Sequence, residues 1–154
     1  MTGEIYLKET GEPLKDSEGY IISSSKTFVA DSESGFVDVE FFIDSTLISG
    51  MTLVAFEYLT CDGITVAIHS DLNDLNQTVF VPSITTNAIQ ESTSSKFVQA
   101  LENVILTDYI SYHNISTSSD LRIVGNIVDK DTGDIIKTKE FVVICDDLDG
   151  VLEL

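Results

Sequence analysis

The side chains most able to do chemistry lie where the sequence also predicts apolar surface. Side chains alternate between two faces along the segments that contain them, and Glu57, Gln77, Thr86 and Asp108 each share a face with aliphatic residues. Burying a carboxyl group is costly unless it is protonated or paired, and a buried amide or hydroxyl also needs a partner. Any one of these residues alone could face solvent or cap a turn. Together they indicate a shielded site that combines carboxyl, amide and hydroxyl groups.

These residues lie on short segments rich in Val, Ile, Thr, Phe and Tyr, which are separated by Gly, Asp, Asn and Ser. Their period-two alternation predicts strands at 36–43, 51–59, 64–69, 77–81, 84–88, 104–112 and 121–128. Only 95–103 has a pattern that could form a helical turn or two. Many short strands joined by polar turns predict an all-β fold, an immunoglobulin-like β-sandwich.

An internal repeat divides the chain. Residues 2–14 (TGEIYLKETGEPL) align without gaps to 124–136 (VGNIVDKDTGDII), an offset of 122 residues. Identical residues occur at Gly3/Gly125, Ile5/Ile127, Lys8/Lys130, Thr10/Thr132 and Gly11/Gly133. A looser similarity follows, because each copy continues with a segment that contains a phenylalanine and then with one that begins with a glycine. These residues are Phe28 and Gly35 in the first copy, and Phe141 and Gly150 in the second. A period of 122 does not fit twice into 154 residues, so we expect the back of one repeat at 1–81 and the front of the next at 82–154.

The composition disfavours several classes of partner. The chain carries 26 acidic and 8 basic residues, a formal net charge of -18, which disfavours binding to nucleic acid or to an anionic membrane surface. The sequence shows no apolar run long enough to span a bilayer and no signal-peptide pattern at its start. Cys61 and Cys145 have neither metal-site spacing nor a disulfide framework, and we expect both thiols to be free.

Three stretches carry a resemblance to a known family: LVAFEYL, then AIHSDLNDLNQTVFVPSITTNA, then TDYISYHNISTSSDLRIVGNIVDKDTGD. Together they resemble the Thr–Gln ester-bond domains of Gram-positive surface adhesins, also called VaFE repeats. The resemblance implies an ester that joins Thr86 to Gln77 and forms without a separate enzyme, with release of ammonia. The chain departs from the family pattern at Asn87 and Gln90, and the adjacent Thr85 leaves the choice of nucleophile open.

The resemblance also assigns the residues that assist the reaction. A threonine hydroxyl is a weak nucleophile and needs a base, for which the family pattern points to His69. The amide carbonyl must be polarised and its nitrogen must leave protonated. A buried acid pair, Glu57 with Asp108, could hold one shared proton and donate it, because like charges in contact cannot both ionise. The sandwich interior would exclude the water that hydrolyses esters. No cofactor and no metal is implied.

The function implied is that of a structural stalk module in an extracellular, cell-wall-anchored adhesin, with signal and anchor outside this segment. The partners implied are neighbouring repeats of the same chain, with host protein or glycan bound through other domains. Such a protein cross-links itself once and is not an enzyme in the ordinary sense.

Two other classes of function compete with this interpretation. A calcium-binding β-module is suggested by the acidic runs 129–134 and 71–74, although neither has the glycine and terminal glutamate of an EF-hand loop. A ligand-binding adhesion module without a cross-link is also compatible, because loops carry such functions without a motif. A conventional hydrolase is disfavoured by the absence of a nucleophile elbow.

The position of the predicted cross-linking residues leads to a last expectation. Thr86 follows Gln77 by only nine positions, with Pro82 between them. The family pairs these two strands in parallel, and parallel neighbours need a crossover of about a dozen residues or more. We therefore expect that one chain alone does not close the ester, and that two chains could do so by exchanging parts.

Overall fold

The computed structural model describes residues 1–100, 102–117 and 120–153. These residues form two compact units, Met1–Pro82 and Ser83–Leu154, called here the first and the second unit. Strands dominate both units. The helical elements of the described residues are short 3-10 turns at Ser45–Leu47, Leu75–Gln77 and Glu91–Thr93, and none of them has the length or the apolar character to cross a membrane.

The first unit is built on one antiparallel sheet. Its strands, in chain order, are β1 Thr2–Leu7, β2 Ser23–Ser25, β3 Thr52–Cys61, β4 Ile64–His69 and β5 Thr78–Phe80. The spatial order is β2-β1-β3-β4, and β5 also pairs with β3. Strands β4 and β5 use different parts of β3, because β4 pairs with 57–61 and β5 with 52–54. The segment that joins β4 to β5 therefore begins beside Glu57 and ends beside Val54.

The core of the first unit lies on the face of the sheet that carries Leu53. Ile5, Leu14, Ile48 and Leu53 are buried together, with Phe41 among the partly buried residues packed against them. Both faces of β3 are covered near its start, since Val54 on the opposite face is also fully buried. Alternation along β3 then continues the Leu53 face to Glu57.

The second unit contains two separate sheets. A three-stranded antiparallel sheet has the order β10-β7-β6, where β6 is Ser83–Gln90, β7 is Leu106–His113 and β10 is Gly150–Glu153. A hairpin joins β8 Asp120–Val128 to β9 Ile135–Ile144. Its long strands leave many aliphatic side chains exposed, including Val124, Ile136 and Val142.

The all-β fold predicted from the sequence is confirmed, and strands occur at β3, β4, β5, β6, β7 and β8 where alternation predicted them. The prediction of a strand at 36–43 was wrong in one respect. This segment has the predicted alternation, with Val37, Val39, Phe41 and Ile43 partly buried between exposed neighbours, yet it forms no ladder with the described residues. Alternation reports which face packs on a core, whereas a ladder also requires a paired neighbour. Within 95–103 the described residues form no helix, and residue 101 lies outside them.

The two aligned segments of the internal repeat have the same turn. In each copy the turn glycine donates its N–H to the carbonyl four residues earlier, at 2.8 Å in both cases. Each glycine has a positive φ, +69° and +78°, which glycine adopts at little cost. In each copy the threonine hydroxyl oxygen accepts a backbone N–H at 3.2 Å. The residues involved are Leu7, Thr10, Gly11 and Glu12 in the first copy, and Asp129, Thr132, Gly133 and Asp134 in the second.

Candidate functional site: a glutamine amide held by histidine

Strands β3 and β4 place Glu57 and His69 side by side. The two residues are direct cross-strand partners in the antiparallel ladder, so their side chains lie on the same face. Glu57 is partly buried, and the His69 side chain is about half exposed, at 50%. Glu57 also lies opposite Gly3 of β1, where the missing side chain leaves room for Phe41 above the sheet.

The loop after β4 returns Gln77 to His69. Two aspartate side chains shape it: Asp71 Oδ1 accepts the N–H of Asn73, and Asp74 Oδ1 accepts the N–H of Asn76, each at 2.9 Å. Such Asx turns direct the chain locally without help from a sheet. The following 3-10 turn ends at Gln77, whose Nε2 lies 3.1 Å from His69 Nδ1.

Asp74 fixes the orientation of the imidazole, and the sequence interpretation did not assign it this role. Its Oδ2 lies 2.9 Å from His69 Nε2. A carboxylate only accepts hydrogen bonds, so in the neutral ring Nε2 carries the proton and Nδ1 is left as an acceptor facing the Gln77 amide. The signal available in the sequence was the placement of Asp74 between His69 and Gln77 in HSDLNDLNQ. From the sequence alone, Asp74 is suggested only as a calcium ligand.

The carbonyl of Gln77 is unusual because its oxygen is buried and makes no hydrogen bond with any of the described residues. Leaving a buried acceptor unsatisfied is costly, and such atoms are often found at functional sites. Nearby, burial raises the pKa of the Glu57 carboxyl, and the Asp74 charge also raises it. A hydrogen bond from the Gln77 amide and the charge of His69 act in the opposite direction. The Glu57 carboxyl therefore contacts the amide of Gln77, and burial favours its protonated form.

Thr86 and Asp108 belong to the second unit and share one face of its sheet. Thr86 is the cross-strand partner of Ile110, and Asp108 is the partner of Ala88, two residues along each strand. Thr85 pairs with Ser111 and points to the opposite face, so the geometry favours Thr86 as the residue associated with Asp108. Asp108 Oδ1 is buried and accepts no hydrogen bond from the described residues, whereas Thr86 is exposed.

The structure therefore brings Glu57, His69 and Gln77 together in the first unit, with Asp74 as a fourth member. The remaining two predicted site residues lie together on the second unit.

The acidic runs considered as calcium sites have other contacts. Asp129 Oδ1 accepts the N–H groups of Asp131 and Thr132 at 2.8 and 3.1 Å, which closes its own turn. Asp74 is bonded to His69, as described above. Within the residues that the structure describes, no group of three or more His, Cys, Asp or Glu side chains is arranged to hold a metal ion.

Comparison with known families covers nearly the whole chain. The family model described as "T-Q ester bond containing domain" matches twice, at residues 1–81 and at 82–143. No curated protein and no solved structure matches the chain. The resemblance found in the sequence is thereby confirmed: the chain belongs to the family of T-Q ester bond containing domains.

Proposed function

We propose that this chain is a structural segment of a bacterial cell-surface adhesin stalk, whose repeats are closed by an internal ester between a threonine and a glutamine. The observation that carries the proposal is the Gln77 amide, whose nitrogen lies 3.1 Å from His69 Nδ1 while its buried carbonyl oxygen accepts no hydrogen bond from the described residues. The amide that must react therefore contacts the proposed base, His69, and its carbonyl oxygen can still accept a hydrogen bond from a proton donor.

The proposed reaction follows from these positions. In a complete repeat, the hydroxyl oxygen of the threonine that corresponds to Thr86 attacks Cδ of Gln77, and His69 Nδ1 accepts the hydroxyl proton. His69 already contacts the amide nitrogen, so the same proton can pass to that nitrogen, and the C–N bond breaks with release of ammonia. Glu57, with the aspartate that corresponds to Asp108 as its partner in the complete site, stabilises the charge that develops on the carbonyl oxygen. Each site reacts once, so the protein modifies itself and does not turn over.

A stalk gains from such a bond because it constrains the unfolded chain. By analogy with disulfides, a cross-link that closes a loop of about 100 residues contributes about 4 to 5 kcal/mol. A covalent bond between the first and last strands of a repeat also resists pulling and proteolysis. The corresponding location is outside the cell, on a protein whose secretion signal and wall anchor lie in other segments. Its contacts are neighbouring repeats, and host protein or glycan is bound elsewhere.

Intact mass under denaturing conditions tests the proposal in a complete repeat. Such a repeat contains residues 1–81 together with the front half of the same repeat, which carries the reacting threonine. We expect a mass lower by one ammonia, and we expect Gln77→Ala to restore the full mass. Asn76→Ala is the matched control, since it removes a neighbouring exposed amide but keeps the backbone N–H that Asp74 accepts. Ammonia loss that persists in Gln77→Ala, or that disappears in Asn76→Ala, would refute the assignment.

A further inference from the structure

Glu57 lies where the buried part of its sheet face ends. On β3 it shares this face with Leu53, which is buried in the core, and with Leu59, which lines an open cleft of about 870 Å³. Glu57 lines the same cleft. Its carboxyl is therefore at a boundary, with the apolar core on one side and water within reach on the other.

The surroundings of Glu57 influence its protonation in opposite directions. Burial is the largest influence and raises the pKa of this carboxyl above its usual 4.5. The hydrogen bond from Gln77 and the charge of His69 lower the pKa, and the charge of Asp74 raises it. The other residues with charged groups that line the cleft are Met1, Lys26, Asp31, Glu33 and Asp38. Because burial has the largest effect, the side chains that exclude water from Glu57 matter most.

Gly3 of β1 places Phe41 next to this carboxyl. Gly3 is the direct cross-strand partner of Glu57, and the Cβ positions of such partners are about 4.5 to 5.5 Å apart. A Cβ built on Gly3 would lie 2.5 Å from Cζ of Phe41 and 3.4 Å from its Cε1. The far end of the ring therefore occupies the space that a side chain at Gly3 would take. A glycine within a strand permits this kind of close approach.

The side chain of Phe41 connects the core to the site. Phe41 is one of the partly buried residues packed against the cluster that contains Ile5 and Leu53. Its neighbour Phe42 has the opposite orientation and is 89% exposed. The ring of Phe41 thus reaches from the core to the residue opposite Glu57. An apolar ring at this place takes the space of water, and loss of water disfavours the charged form of a carboxyl.

We propose that Phe41, seated over Gly3, is a positioning residue that keeps water from the inner side of Glu57 in the ester-forming site. The inference deepens the function proposed above and rests on it, because Glu57 is an acid of that site. Phe41 acts through Glu57 and not on the reacting groups themselves. A protonated Glu57 can donate a hydrogen bond to the reacting carbonyl oxygen, whereas its charged form would repel the negative charge that develops there.

Phe41→Leu tests this role, and Phe42→Leu is its matched control. Leucine keeps an apolar side chain against the core but lacks the far end of the ring, which covers Gly3. Carbon-detected NMR titration of the 154-residue chain should give a Glu57 pKa above 4.5 in the wild type. This pKa should fall toward 4.5 in Phe41→Leu and keep its wild-type value in Phe42→Leu. An unchanged pKa in Phe41→Leu, or an equal fall in Phe42→Leu, would overturn the proposal.

Two further measurements show whether the ring and the sheet are in place. Hydrogen exchange along the β1–β3 ladder reports whether Phe41→Leu keeps the sheet. Nuclear Overhauser effects in the wild-type chain need no variant, and we expect strong effects between the ring protons of Phe41 and an Hα of Gly3. Their presence supports the seating of the ring, and their absence would overturn it even if Phe41→Leu does not fold.

The rate of ester formation in a complete repeat separates this inference from the proposed function. At a pH well above its pKa, the protonated fraction of Glu57 falls about tenfold for each unit by which that pKa falls. Phe41→Leu should slow ammonia release by this factor, and Phe42→Leu should not. An unchanged rate despite a lower pKa would overturn the place of Phe41 in the site.

Two outcomes distinguish the shielding from the ester chemistry. A Glu57 pKa that falls in Phe41→Leu, together with a wild-type repeat that forms no ester, supports the shielding and contradicts the ester. A Glu57 pKa that is the same in Phe41→Leu, together with a wild-type repeat that does form the ester, overturns the shielding and supports the ester.

Discussion

The two carboxylate oxygens of Asp74 have different partners, and one substitution separates their roles. Oδ1 accepts the backbone N–H of Asn76 and caps the short turn that ends at Gln77, while Oδ2 lies 2.9 Å from His69 Nε2. Asparagine is as good a cap as aspartate, whereas alanine in place of either costs about 1 kcal/mol. The His69–Asp74 pair is partly exposed, at 50% and 21%, and pairs of this kind contribute less than about 1 kcal/mol to stability. We therefore expect Asp74→Asn to melt close to the wild type and Asp74→Ala to lose about 1 kcal/mol.

The effect of Asp74→Asn on the reaction should be much larger. An asparagine amide can donate to Nε2, which would put the ring proton on Nδ1 and leave no acceptor facing the reacting groups. General base catalysis contributes about 10²- to 10⁴-fold, so ester formation should slow by at least about 10²-fold. Ammonia release from a complete repeat, with intact mass as the product assay, measures this rate. An unchanged rate in Asp74→Asn would refute the role of Asp74, and so would a loss of stability as large as that of Asp74→Ala.

Three further predictions concern stability. Burial raises the pKa of Glu57 above its usual 4.5, so its contribution to stability is present below about pH 4.5 and is lost as the pH rises through the higher folded value. In urea titrations Glu57→Gln should therefore be more stable than the wild type at pH 7, and an advantage that persists below pH 4.5 would contradict this cause. Leu53 is 4% exposed, so Leu53→Ala should cost the first unit about 2 to 5 kcal/mol. Ile110→Ala is the matched change in the second unit, and hydrogen exchange should report each loss in its own unit only. A complete cross-linked repeat should be about 4 to 5 kcal/mol more stable than its Gln77→Ala form, and equal melting temperatures would count against an ester.

Alternation was sufficient to predict the strands that carry the site. In β3 the period-two pattern placed Glu57 on the face of Leu53, and β4 begins and ends at the predicted residues 64 and 69. It could not predict pairing, because the same pattern occurs in β7, which has neighbours on both sides, and in 36–43, which has none among the described residues. Strand pairing depends on contacts distant in the chain, and these are not encoded in a local window.

The site was predicted only in part, because it also depends on contacts that a local stretch of sequence does not encode. The family resemblance named Glu57, His69 and Gln77, but the role of Asp74 depends on an Asx turn in which Asp74 accepts the N–H of Asn76 and also contacts His69. Among 26 acidic residues, nothing in composition marks this one. The burial of the Gln77 carbonyl oxygen without a hydrogen bond from the described residues is a property of packing, which only the folded arrangement reveals.

The central claim is that Gln77 forms an ester with the threonine of its own repeat that corresponds to Thr86, and peptide mapping of a complete repeat tests it most directly. After denaturation and digestion, we predict a single peptide pair joined through that threonine hydroxyl and the Gln77 side chain. Its mass should be that of the two peptides less one ammonia, and hydroxylamine should separate them. A complete repeat in which both peptides keep their unmodified masses would contradict the account.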